Sequence, residues 1–306
     1  MSPKQTSGAS RRYEQAAAQP GTGDIGIVNI ARKEAAKAEI TVQPLRGNIR
    51  VLMGSGGNIT VFSGHDGKLL VDAGIPASKP KITAALAAIS HDPVRYLINT
   101  HWHFDHTDGN QWVHAAGATI IAHENTRKHL STITRVADWD FTFPPLPESA
   151  LPTEVFRTDR TLEHNGSAVS LQYYGPCHTD GDISVEFAGM EVFVVGDTWW
   201  NGFYPFIDYS TGGGINGMIR AAETNIAKVT GKTIIVPGHG PVGDKSQLIE
   251  YRDMLVNVRD KVAALKKRGS SLDEVIAAKP TAAYDAKWGR FLIDGSFFTR
   301  LVYVGV

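Results

Sequence analysis

From residue 48 onward, apolar residues come in short blocks rather than at helical spacing. The runs 48–53, 59–63 and 68–72 are rich in aliphatic and β-branched residues. Glycine-rich turns, Gly54-Ser55-Gly56-Gly57 and Gly64 to Gly67, separate them, a pattern that predicts strands joined as hairpins. The period then changes. Past Ser78 and Pro80, Ile82, Leu86 and Ile89 recur at helical spacing, and 94–98 returns to a buried type of strand that ends directly at a run of histidines. Further on, the pattern predicts a helix at 110–116, a strand at 119–122 and a helix at 125–131. The aromatic and proline-rich stretch 138–152 reads as a long loop. Strands are expected at 168–173, 183–187 and 191–195, a helix at 216–229 and a strand at 233–236. Leu248, Tyr251, Leu255, Val258, Val262 and Leu265 form the apolar stripe of a last long helix, followed by a shorter one at 272–278.

Two groups of strands, each followed by helices, predict an α/β protein in which two sheets pack together with helices on their outer faces. Hairpin turns between the early strands argue against a doubly wound sheet. Residues 1–44 read as an N-terminal extension, helical in part around 30–38, residues 45–245 as the main domain, and 246–306 as helices packing on it. The 31 basic and 31 acidic residues cancel, which argues against a nucleic-acid partner; the partner expected is a small-molecule substrate. No apolar run is long enough to cross a membrane. The single cysteine, Cys177, excludes an intrachain disulfide. The N-terminal stretch lacks the apolar segment of a signal peptide, so the chain as written reads as cytoplasmic; a periplasmic location would require an export signal removed from it.

The densest chemistry is Thr100-His101-Trp102-His103-Phe104-Asp105-His106-Thr107-Asp108-Gly109. It starts where the strand 94–98 stops, on a loop held by a rigid scaffold, where functional groups concentrate. Imidazole nitrogen and carboxylate oxygen are zinc donors. In an extended segment, alternation would put His101, His103 and Asp105 on one side, with a turn at Asp105-His106 bringing His106 to a second metal. Three further donors stand at strand ends near glycine: His178 in Gly175-Pro176-Cys177-His178, Asp197 in Gly196-Asp197-Thr198, and His239 in Pro237-Gly238-His239-Gly240. Asp108 and Asp180 read either as partners of histidine N–H groups or as turn residues. The segment Trp199 to Phe206, with Trp139, Phe141 and Phe143, reads either as an apolar substrate wall or as core.

The His-x-His-x-Asp-His run followed by His178, Asp197 and His239 resembles the metallo-β-lactamase superfamily. The resemblance covers about residues 45 to 245 and implies a four-layer αβ/βα sandwich with metals at one sheet edge. It implies two zinc ions (iron or manganese being alternatives), the first held by His101, His103 and His178, the second by Asp105, His106 and His239, with Asp197 bridging. Asp105 would also orient the nucleophile, a metal-held hydroxide that attacks an ester, thioester, lactone or lactam. An aspartate at position 197 resembles glyoxalase II and the lactonases, whereas β-lactamases usually carry cysteine or serine there. Lys245, Lys266, Lys267 and Arg268 are the candidates for the basic residues with which glyoxalase II holds glutathione. The other readings are iron-dependent oxygen chemistry of the persulfide dioxygenase type and phosphodiester cleavage.

Overall fold

A computed structural model describes residues 26–306. After a helix, Ile27–Ala35, the chain forms β1 (Thr41–Pro44), β2 (Ile49–Met53), β3 (Ile59–Gly64), β4 (Gly67–Val71), β5 (Val94–Ile98), β6 (Thr119–His123) and β9 (Glu154–Phe156), which make one seven-stranded sheet in that order. A second sheet runs β10 (Asp159–His164), β11 (Ser167–Tyr173), β12 (Ile183–Phe187), β13 (Val192–Trp200), β14 (Ile234–His239). A small ribbon pairs β7 (Thr134–Val136) with β8 (Phe141–Phe143). The first sheet is antiparallel through β4 and parallel from β4 to β9. The second is antiparallel except for its last pair, β13 and β14.

Side chains alternate across each strand, and both faces are covered. Leu69 and Val71 of β4 meet Val192 and Val194 of β13 in a core between the sheets. Leu70 points the other way, onto Ile82 and Leu86 of the helix Lys79–Ile89 and Val113 of the helix Asn110–Ala115. On the second sheet, Phe193, Val195 and Ile235 turn outward onto the helices Ile215–Lys228, Lys245–Lys267 and Gly295–Val304. The order of layers is therefore helix, sheet, sheet, helix, as the sequence predicts. Fully burying one such aliphatic side chain is worth about 1.5–3 kcal/mol, against about 0–1 kcal/mol for an exposed ion pair such as Lys287–Glu250. The scaffold thus rests on these three apolar layers.

Several elements differ from the sequence reading. β13 continues through Trp200 and β14 through His239, because the two pair in parallel as far as Trp200 opposite His239, with register shifts around Gly196. The expected long loop holds β8, which pairs with β7, a partner too short to stand out in the sequence. β1 precedes the expected domain start at residue 45 and pairs with β2 as the sheet edge. The N-terminal helix begins at Ile27, earlier than the expected 30–38, and docks on the molecule through Val28 and Ala35. The rest of the expected extension, residues 1–25, lies outside the described residues. Among the described residues no helix is long and apolar enough to cross a membrane.

Candidate metal centre

β5 delivers the histidine run to the carboxyl end of the parallel strands, where α/β sheets leave room for ligands. Asn99 and Asn110 exchange amide hydrogen bonds of 2.9 Å and pin the loop. The chain is extended only as far as His103. Phe104–Thr107 is one helical turn, fixed by the N–H groups of His106 and Thr107 donating to the His103 carbonyl at 3.0 and 3.1 Å. This corrects the expected alternation: the turn carries Asp105 away from His101 and His103 and toward His106 and His239. Gly196, at φ +51° against the Thr100 side chain, and Gly238, where a Cβ would lie 1.9 Å from Asp197 Oδ1, let the second sheet press Asp197 and His239 onto the same point.

All seven candidate ligands meet there. Donor atoms of His101, His103, His178 and Asp197 form one group within 4.8 Å of one another, and those of Asp105, His106 and His239 form a second. Asp197 faces both: Oδ2 lies 3.4 Å from His178 Nε2 and 3.4 Å from His239 Nε2, and Oδ1 lies 3.2 Å from His106 Nε2. His239 Nε2 is 3.2 Å from Asp105 Oδ2.

Four of the five rings are held by their outward nitrogen. His103 Nε2 donates to Asp208 Oδ2 at 3.1 Å, His106 Nδ1 to Asp72 Oδ2 at 2.8 Å, and His178 Nδ1 to the Phe206 carbonyl at 2.8 Å. His101 Nδ1 lies 3.0 Å from Thr100 Oγ1, whose own proton goes to Asp72 Oδ2 at 2.8 Å. A carbonyl only accepts, so His178 carries its proton on Nδ1 and turns a lone pair inward. His103 does the same through Nδ1, and these two inward nitrogens stand 2.9 Å apart. Facing lone pairs repel unless a cation lies between them. His101 Nε2 is buried without any hydrogen-bond partner. Ligands about 2.0–2.1 Å from a tetrahedral zinc stand about 3.3 Å apart, inside the 2.9–3.8 Å range seen here. The donor set fits a metal.

Electrostatics divides the cluster. Burial, aided by neighbouring histidines, holds His101 well below the ordinary imidazole value, and burial also lowers His103 and His178. Burial would lower His106 and His239 too, but Asp197 and Asp105 outweigh it: His106 is well above its ordinary value and His239 is pushed up to about 9. Burial opposes ionisation of Asp105 and Asp197, yet the adjacent histidines hold both carboxylates below their usual range.

A cavity of about 520 Å³ opens onto the cluster. Trp139, Trp200, Phe203 and Phe206 line it, so part of the aromatic segment is a wall, whereas Trp199 and Tyr204 are fully buried core. Phe141 and Phe143 pack near Phe104 and each other instead. Asp108 and Asp180 do not hold ligands: Arg32 takes the first at 2.7 Å and His129 the second at 2.8 Å. Lys245, Lys266, Lys267 and Arg268 do not line the cavity; Lys245 Nζ donates to the Val229 carbonyl and Lys266 Nζ to that of Tyr303. Cys177 is buried, donates to the Gly175 carbonyl and has its thiol pushed well up by burial. His123 and His164 are buried, and His123 caps the helix Glu124–Ser131. The sequence reading missed Asp72 and Asp208. Asp72 left one signal, an acid closing the apolar run Leu69-Leu70-Val71, and it sits at φ +65°, a conformation unusual for a non-glycine residue.

Comparison with known proteins places these features in context. A sequence model described as the metallo-beta-lactamase superfamily matches residues 52–264. A metallo-beta-lactamase from Pontibacter korlensis is 18% identical, with a TM-score of 0.57 over 72% of this chain and 100% of that one. The DIM-1 metallo-beta-lactamase is 17% identical, with a TM-score of 0.57 over 71% and 97%. The stereoselective inverting sec-alkylsulfatase Pisa1 from Pseudomonas sp. is 14% identical, with a TM-score of 0.65 over 96% of this chain but 54% of that one. At these identities the likeness is one of fold.

Proposed function

The chain belongs to the metallo-β-lactamase superfamily, and from that premise we propose that it is a two-zinc hydrolase of small-molecule esters, thioesters, lactones or lactams. His101, His103, His178 and Asp197 would hold one ion and Asp105, His106 and His239 the other, with Asp197 bridging. The observation that carries the reading is the convergence of seven donor side chains at the inner end of a cavity of small-molecule size.

Bound metal would supply Lewis acidity and a water acidified from about 16 toward 7. The protein's own groups do the rest. Asp105 borders the cavity, and its side chain is the most exposed of the seven at 14%. Held ionised by His106 and His239, its carboxylate is placed to accept a hydrogen bond from the attacking water and orient it. Asp208, Asp72 and the Phe206 carbonyl fix which nitrogen each ring turns inward. The aromatic wall excludes bulk water and so strengthens every electrostatic contact inside. Because Asp197 stands where β-lactamases usually carry cysteine or serine, lactam cleavage is at most a side activity.

The test is turnover by zinc-loaded and chelator-stripped protein on a p-nitrophenyl ester, a thioester, a lactone, nitrocefin and bis-p-nitrophenyl phosphate. The expected outcome is cleavage of a carbonyl substrate by the loaded protein alone. In Asp105→Ala, kcat should fall on the order of 10²–10⁴-fold. Phosphodiester cleavage only, or iron with oxygen uptake and no hydrolysis, would replace this reading.

A further inference from the structure

The wall of the cavity restricts what the site admits. Beyond the metal-ligand residues, its body is apolar: Ile27 and Ala31 on the N-terminal helix, Phe203 and Phe206 after β13, and Phe291 and Phe297 near the C-terminus. Phe203, Phe291 and Phe297 are only half-buried, so apolar surface is left facing this space. Among the described residues, Glu34 and Lys37 are the only charged ones in the wall apart from the proposed ligands. They pair with each other at 3.0 Å, and the Lys37 side chain is 66% exposed, which puts its charge at the mouth. Asn58 is committed as well, its amide donating to the carbonyls of Pro237 and Gly240 at 2.9 Å each. Nearby Arg32 is held by both oxygens of Asp108 and does not line the cavity.

An anionic group remote from the reacting carbonyl would therefore enter a low-dielectric wall where the one cation among the described lining residues, Lys37, sits at the mouth and is already paired with Glu34, which is strongly unfavourable. A hydrocarbon gains from the same wall. We propose that the substrate is an uncharged ester whose acyl part is a hydrocarbon chain, lying between the N-terminal helix and Phe203, Phe206, Phe291 and Phe297 with its carbonyl toward Asp105. This rests on the hydrolase reading above and names its substrate class.

Two measurements separate the two ideas. The first is kcat/KM of the zinc-loaded protein for p-nitrophenyl esters from acetate to octanoate, for a chain-matched ester ending in a carboxylate, and for octyl sulfate. Specificity should rise up to about fourfold per methylene until the cavity is full. The carboxylate-ended ester should fall at least about tenfold below its neutral match, and octyl sulfate should not be cleaved. The second is binding of 1-hexanol, 1-octanol and 1-decanol to metal-free protein, followed by tryptophan fluorescence, since Trp139 and Trp200 line the cavity. Affinity should climb with chain length in the same way. Ala31→Trp should flatten both series, and Phe297→Ala should move the optimum to longer chains, with melting curves confirming that each variant folds. Turnover without chain-length dependence, or preference for the carboxylate or the sulfate, overturns the substrate assignment and leaves the hydrolase standing. Chain-dependent alcohol binding with no turnover of the esters, nor of a thioester or lactone, overturns the hydrolase and keeps the apolar ligand.

Discussion

His103 shows how one residue is set up by another. Its ring is fully buried, its Nε2 proton goes to Asp208, and only Nδ1 remains for the centre. Asp208 would be raised by burial, but the His103 hydrogen bond outweighs this and keeps it ionised. Removing that carboxylate frees the ring to rotate or to take the other tautomer. Asp208→Ala should weaken zinc binding about 10–100-fold, read by competition with a chromophoric chelator. The melting temperature of the metal-free variant reports separately on lost packing, and unchanged zinc affinity would refute the role. The candidate ligands themselves were legible in the sequence because four donors in six residues is a density that turns do not need. Asp72 and Asp208 were not, because an acid after a strand or before a turn looks the same whether it caps a loop or steadies a histidine. Asp208 does both, accepting from Ser210 N at 3.0 Å.

Among the elements, the helix Ile27–Ala35 joins sequence to site most unexpectedly. Its composition reads as an extension, yet Ile27, Ala31, Glu34 and Ala35 line the cavity. Arg32 fastens it by a two-pronged pair to Asp108 at 2.7 and 3.1 Å, while its guanidinium lies over Phe104 and Phe141. Asp108 is largely buried and its carboxyl is raised by that burial despite Arg32, so losing the cation leaves a poorly solvated acid. Allowing for the partial exposure of Arg32, the pair is worth about 1–2 kcal/mol to docking of the helix. Arg32→Ala should speed amide hydrogen exchange over residues 27–35 about 5–30-fold and leave metal content unchanged; exchange at the wild-type rate would show that Val28 and Ala35 suffice. The strands that flank the site were readable because apolar blocks between glycine turns have few other solutions. β10 escaped because Asp159-Arg160-Thr161-Leu162-Glu163-His164 is polar at an edge; Gly295–Val304, by contrast, does carry a helical period in Phe297, Phe298, Leu301 and Val302 that the sequence reading missed.

For the whole molecule, three apolar layers hold two sheets at a fixed separation, and the centre lies where their loops cross. Asn58 N–H donates to the Gly238 carbonyl at 2.8 Å and Ile183 N–H to that of Thr100 at 2.9 Å, so each sheet is tied to the other beside the ligands. The C-terminal helices belong to the same core: Leu248, Tyr251, Leu255 and Phe298 are fully buried in it. The fold class was legible because strand blocks and helix blocks alternate twice. The closure of the cavity by both ends of the chain was not, since no local pattern records which distant segments will meet. On the proposed function, this scaffold holds two metal ions. This is tested most directly by elemental analysis of the purified chain after zinc loading and gel filtration. Close to two zinc ions per chain, falling toward one in Asp105→Ala, is the expected result. One ion or none in the unsubstituted chain would contradict it.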